Sequence, residues 1–413
     1  MLGKNRTIPL LAGFLIVPLI VIAGLGWVNY RLIKSFPDEV GGRFAVQWQV
    51  VRQFARQGIS PYSDSVRIST TASNSTSLKA GFTAPLYTAF IILPFALIED
   101  FLVAKSIWLV ILEISVILST IFICRFIGWK PGKFQFMVFL FFTLFSLHSV
   151  QALILGDTTI LVVFFTILAL NTLRDKRMEL TGFLLALATI QPRVVILIVL
   201  FVLIWTLSNR SWKLLAWFFG SLGVLVLLGI IFIPDWPVQY LRVIWHIQDY
   251  YPILIPSNTL KVWLPGIGRQ LGIGISILVG LILLIEWVVA RKKDFKWFMW
   301  TACLTLILNP WVGIPFDTQD FLFYLLPLGL ILSTWDQRLP NMGKLLGMGV
   351  VVLIFTGQWF IFSRITGRED FVQSQIPFLF LTPFFFFILI YWIRWWATHP
   401  YRSIFADLYS SKG

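Results

Sequence analysis

Few residues in this chain have both the type and the setting to do chemistry. In Pro37-Asp38-Glu39-Val40-Gly41-Gly42 two carboxylates precede a glycine pair, and Gly156-Asp157 offers a third just before an apolar run. A carboxylate can take a proton from a hydroxyl nucleophile. The plainer readings are solvated loop acids for Asp38 and Glu39, and for Asp157 a cap on a helix starting near Thr159. Arg193 follows Pro192 between two apolar half-spans, where a guanidinium is costly unless paired or wet, so it marks a functional site. Glu113 also sits in an apolar run, far in sequence from the others, and reads as a bond to a neighbouring helix. Asp317 and Asp320 read as solvated loop residues, with the rim of a substrate entrance as the functional alternative. His148 and His246 have no second ligand at metal spacing and read as interfacial side chains. Cys124 and Cys303 fit neither a metal site nor a disulfide framework. No metal site and no cofactor are expected; nothing in the sequence supports a divalent cation.

The elements that must position these residues are lipid-embedded. With 58% hydrophobic and 13% charged residues in 413, and a mean hydropathy of +0.84, the chain is too apolar for an ordinary soluble domain. Apolar runs at 8–28, 101–123, 134–155, 160–173, 214–233, 271–290, 298–308, 321–334, 348–362 and 377–396 predict an all-α polytopic membrane protein. Trp27, Trp129, Trp236, Trp297 and Trp335 end such runs, as an interfacial belt would. The expected organisation is one integral-membrane domain over 1–413. It comprises a signal-anchor helix at 8–28, a first external loop at 29–100 and a bundle at 101–233. A second external loop at 234–269 and C-terminal helices at 270–413 complete it.

Basic clusters recur at Arg125/Lys130/Lys133, Arg174/Lys176/Arg177, Arg210/Lys213, Arg291/Lys292/Lys293/Lys296 and Arg338/Lys344. The positive-inside rule places them, and both termini, in the cytoplasm. That topology forces irregularity twice. Residues 81–98 must re-enter or lie along the outer interface, and 181–205, broken by Pro192, must form two half-crossings meeting near Gln191 unless Pro192 only kinks one helix. The inner side then carries nearly all of the +14 net charge, which orients the chain and attracts anionic lipid without any nucleic-acid partner. In the first external loop Phe44, Val46, Trp48, Val50, Val51, Phe54 and Ala55 interleave with Gln47, Gln49, Arg52, Gln53 and Arg56, as in a helix lying in the interface and ended by Gly58. Val238, Leu241, Val243, Ile244 and Trp245 mark a second, shorter one.

An anchor helix, an interfacial helix closing in Gly58-Ile59-Ser60-Pro61-Tyr62, then Ala84-Pro85-Leu86-Tyr87 and Leu93-Pro94-Phe95-Ala96 together resemble the start of glycosyltransferase family 87. Gly156-Asp157, Thr181-Gly182-Phe183-Leu184-Leu185-Ala186, Ile190-Gln191-Pro192, Ser257-Asn258-Thr259-Leu260 and Asn309-Pro310-Trp311 continue the resemblance over most of 8–330. It implies a C-type glycosyltransferase-like bundle of about 11–13 transmembrane or half-transmembrane helices with external interfacial helices. The implied activity is transfer of a hexose or pentose, of mannose or arabinose type, from a polyprenyl-phosphate donor to a glycan or glycolipid acceptor at the outer face of the cell membrane. A carboxylate would take the acceptor proton while cations stabilise the departing phosphate. The family's Asp before the interfacial helix aligns with Arg43 or Phe44, so Asp38, Glu39 or Asp157 must supply the base. Its membrane Lys is Gln191 here, leaving Arg193 as the phosphate cation, for which a guanidinium is suited. By the same resemblance Arg43, Tyr62, Gln191, Arg193 and Asn258 bind substrate. The alternative is a catalytically silent relative that binds lipid or partner proteins. A transporter would need matching halves with charged or broken elements, and none is visible.

Overall fold

In lipid, backbone polar groups can be satisfied only within helices or a closed barrel. The computed structural model describes residues 7–35, 42–63, 81–250, 254–339, 342–365 and 371–399. Among these every regular element is an α- or 3-10 helix, and the one β contact is an isolated antiparallel bridge between Leu254 and Phe316. The protein is an all-α polytopic membrane protein. Helices Phe101–Ile127, Trp212–Phe232, Gly268–Ala290 and Met342–Arg364 are long and apolar enough to cross, and Lys133–Phe145 with Leu147–Leu155 makes a fifth span if the bent pair is one.

The apolar run at 134–155 therefore differs from its sequence reading as a single span: it breaks at Ser146 with a 47° bend. The Ser149 hydroxyl donates to the Thr143 carbonyl at 2.5 Å and meets the Ser146 hydroxyl at 2.9 Å, so side chains replace part of the interrupted ladder. The stretch at 181–205 divides into helices Met178–Ala188 and Pro192–Ser208. Pro192 opens the second helix, where its missing N–H would have no intrahelical partner. Helix Tyr87–Ala96 has ten residues, a rise of about 15 Å, half of what a crossing needs.

The chain clusters into two compact units. The first comprises Met1–Ser115, Ala152–Thr158 and Gly229–Tyr250. Here helix Gly42–Gln57 buries Phe44, Val46, Val50 and Val51. Phe44 stacks on Trp108 with ring centroids 5.3 Å apart, and the Trp48 indole N–H donates to the Phe95 carbonyl at 2.9 Å. Arg52 donates to the Ile98 carbonyl at 3.0 Å while its guanidinium covers the Trp48 ring. Helix Trp236–Tyr250 is held by Gln239, which accepts from the Ser60 hydroxyl and donates to Asp235, and it leaves Val238, Leu241 and Trp245 exposed.

The second unit comprises Val116–Gln151, Thr159–Leu228 and Tyr251–Gly413. Helix Phe295–Leu308 is apolar on all sides and accordingly buried from Phe298 to Leu308. Phe298 stacks on Phe201 at 5.1 Å and on Phe295 at 5.2 Å. Gly182 lets two helices close: a Cβ there would stand 2.6 Å from the Leu214 carbonyl oxygen. Glu286 meets Arg394 through both carboxylate oxygens at 2.9 Å, and the Arg394 guanidinium lies over the Trp300 ring.

The tryptophan belt is corrected in part. Trp27 is exposed, but Trp129, Trp236 and Trp335 are buried. Protein packing takes them out of the lipid interface: the Trp129 N–H donates to Asp336, Trp236 packs on Tyr87 and Trp335 on Trp392.

Candidate active site

The charged candidates among the described residues fall in two buried clusters, one in each unit. In the first unit, helix Leu147–Leu155 stops because Gly156 turns left-handed at φ +63°. The Gly156 N–H bonds the Leu153 carbonyl at 2.9 Å and the Asp157 N–H bonds that of Ala152 at 2.8 Å, the crossed pair of a Schellman motif. A side chain at 156 would be strained twice, by φ and by a Cβ 2.7 Å from that of Phe44. The Gly156 carbonyl accepts from the Trp108 indole at 2.9 Å, which fixes the corner.

That corner delivers Asp157, whose fully buried carboxylate accepts from Arg43 at 2.9 Å. The preceding Gly42, at φ +41°, is seated so closely that a Cβ would lie 2.7 Å from the Leu155 carbonyl oxygen. Asp157 thus pins the start of helix Gly42–Gln57. Tyr62 also belongs to this unit. Its hydroxyl donates to the Ala84 carbonyl at 2.7 Å and its ring packs on Phe82 and Tyr240. Burial, reinforced by Tyr240 and Tyr87, pushes the phenol well above its usual range, so it stays neutral. Asp38 and Glu39 lie outside the described residues.

In the second unit Arg193, on the first turn of Pro192–Ser208, donates to Asp317 at 2.6 Å and faces Asp320 at 3.6 Å. The Asp320 carboxylate is fully buried and also accepts the Asp317 N–H at 2.9 Å, so the two acids are ordered by the turn that carries them. Thr159 has one hydroxyl hydrogen and two acceptors, Gln191 Oε1 at 2.7 Å and Asp320 Oδ1 at 3.3 Å. Gln191 therefore joins the same network. Asn258 stands on helix Pro256–Trp263, four residues after Leu254, whose carbonyl accepts the Phe316 N–H next to Asp317.

Two carboxylates around one guanidinium leave an excess negative charge. They orient Arg193 while weakening its pull on an anion. The Arg193 side chain keeps 26% of its surface exposed, enough for a ligand to reach it.

Asp317 and Asp320 are therefore not the solvated loop acids their sequence setting suggests: both are buried against Arg193. His148, expected at the interface, is buried too, while His246 is exposed and bonds the Arg242 carbonyl of its own helix. Sequence reading also passed over Lys105, buried one turn before Trp108; its one signal is a lysine near the start of a long apolar helix.

A family model described as Glycosyltransferase family 87 matches residues 82–310, more than half of the chain. Comparison with curated proteins and with solved structures returns no match.

Proposed function

The chain belongs to glycosyltransferase family 87 and is a membrane-embedded glycosyltransferase, and we propose that it moves a hexose or pentose, of mannose or arabinose type, from a polyprenyl-phosphate donor to a glycan or glycolipid acceptor at the outer face of the cell membrane. The acceptor hydroxyl oxygen attacks the anomeric carbon as its proton passes to a carboxylate. The bond from that carbon to the phosphate oxygen breaks, and polyprenyl phosphate leaves with the bonding pair. Arg193 hydrogen-bonds the departing phosphate, Gln191 and Asn258 contact the donor, and Asp38 or Glu39 takes the proton. Asp157 holds Arg43, which with Tyr62 lines the binding region of its unit. Basic clusters at Arg125, Arg174, Arg210, Arg291 and Arg338 support cytoplasmic termini and, with them, a reaction at the outer face.

The observation that carries this reading is Arg193 itself. It is a partly exposed cation fixed by buried carboxylates at a break between two apolar helices, a setting that favours a ligand over lipid. The test is incubation of reconstituted protein with a panel of polyprenyl-phosphate and nucleotide sugars, with membrane-extract acceptors and mass spectrometry of the products. Polyprenyl phosphate is expected to appear with at least one lipid-linked donor. Turnover of nucleotide sugars alone would refute the donor class.

A further inference from the structure

The bend at Ser146 has a polar neighbourhood that the transfer reaction does not use. His148 is 3% exposed; neither ring nitrogen makes a well-formed hydrogen bond among the described residues, and the backbone of Thr318 interacts with the ring. Its ring packs against Phe321 at 4.9 Å and edge-on against Phe378 at 5.7 Å. Gln358, on helix Met342–Ile365, is 8% exposed, and its Oε1 is likewise unsatisfied. Both line one small cavity of about 20 Å³, with Ser146, Tyr324 and Thr382 supplying hydroxyls.

Size and chemistry restrict the occupant. The cavity is large enough to hold an ordered water, and a buried water needs about two to four polar partners. A neutral imidazole presents one donor and one acceptor, and the Gln358 oxygen is an acceptor. The Tyr324 hydroxyl already donates to the Ile307 carbonyl at 2.5 Å, so it too can only accept here. A water can donate one hydrogen to the Gln358 oxygen and the other to the unprotonated His148 nitrogen, leaving the second ring nitrogen to the Thr318 backbone, whereas an alkyl chain leaves both acceptors unpaired.

We propose that this cavity is a binding site for one ordered water, hydrogen-bonded to His148 and Gln358, which supports the 3-10 segment Thr318–Tyr324 through the ring of Phe321. That segment carries Asp320, so the water braces the Arg193 cluster through it. The inference stands whatever sugar or donor the protein uses.

A double-mutant cycle separates a bridging water from a dry cavity. With the bridge, His148→Phe and Gln358→Leu each lower the Tm. The double variant then falls no further than the worse single, because either change removes the shared water. In a dry cavity each substitution removes an orphaned polar group, so a rise in Tm in either variant, or simple additivity, would overturn the proposal. Amide exchange across 318–324 should also speed up in Gln358→Leu, and unchanged exchange counts against the brace. If neither variant folds, the decision falls to an experimental density map of the wild-type protein. A solvent peak between His148 and Gln358 supports the site, and a resolved cavity without one refutes it.

Discussion

Arg193→Ala is expected to weaken donor binding by roughly a hundredfold, since a charge-assisted hydrogen bond to phosphate contributes about 1.5–3 kcal/mol. The same change leaves Asp317 and Asp320 facing each other without their cation, at about 3–5 kcal/mol of stability. The two effects can be parted. Arg193→Ala combined with Asp317→Asn removes one of the stranded charges and should recover most of the Tm while donor binding stays lost. Asp317→Asn alone takes away the closest competitor for the guanidinium, the carboxylate 2.6 Å away, and should leave donor affinity undiminished. Donor titrations on the folded fraction of each variant decide the matter. If binding returns with stability in the double variant, Arg193 is structural and the phosphate is held elsewhere.

Loss of the base should lower turnover by about 10²- to 10⁴-fold with little change in donor KM. Asp38→Asn or Glu39→Gln is expected to show that pattern. Asp157→Asn should behave differently: its carboxylate is fully buried and shared with Arg43, so the Tm should drop and the residual turnover track the folded fraction. A folded Asp157→Asn protein without turnover would transfer the base to Asp157. Full activity in all three variants would leave the mechanism without a carboxylate base.

The helical architecture was legible because long apolar runs leave the backbone little choice in lipid. The helix over Gly42–Gln57 was legible too: of its apolar positions Phe44, Val46, Val50 and Val51 are buried, while Trp48 and Phe54 are half-buried and Ala55 is exposed. The bend at Ser146 was hidden because no proline or glycine marks it; serine and threonine hydroxyls sustain it instead. The charged clusters were half legible. Arg193 announced itself by its cost in an apolar setting, but its partner Asp317 is 124 residues away and Arg43 is 114 residues from Asp157. Local pattern carries no information on pairings of that range, so Asp317 and Asp320 looked like loop acids. His148 was misplaced for the same reason: the packing of Phe321 and Phe378 that buries it is assembled from distant segments.

The most direct measurement is an experimental structure of the reconstituted protein with polyprenyl phosphate bound. The phosphate is expected within hydrogen-bonding distance of the Arg193 guanidinium. A phosphate bound elsewhere, with Arg193 still closed on Asp317 and Asp320 and out of its reach, would contradict the assignment of the donor site.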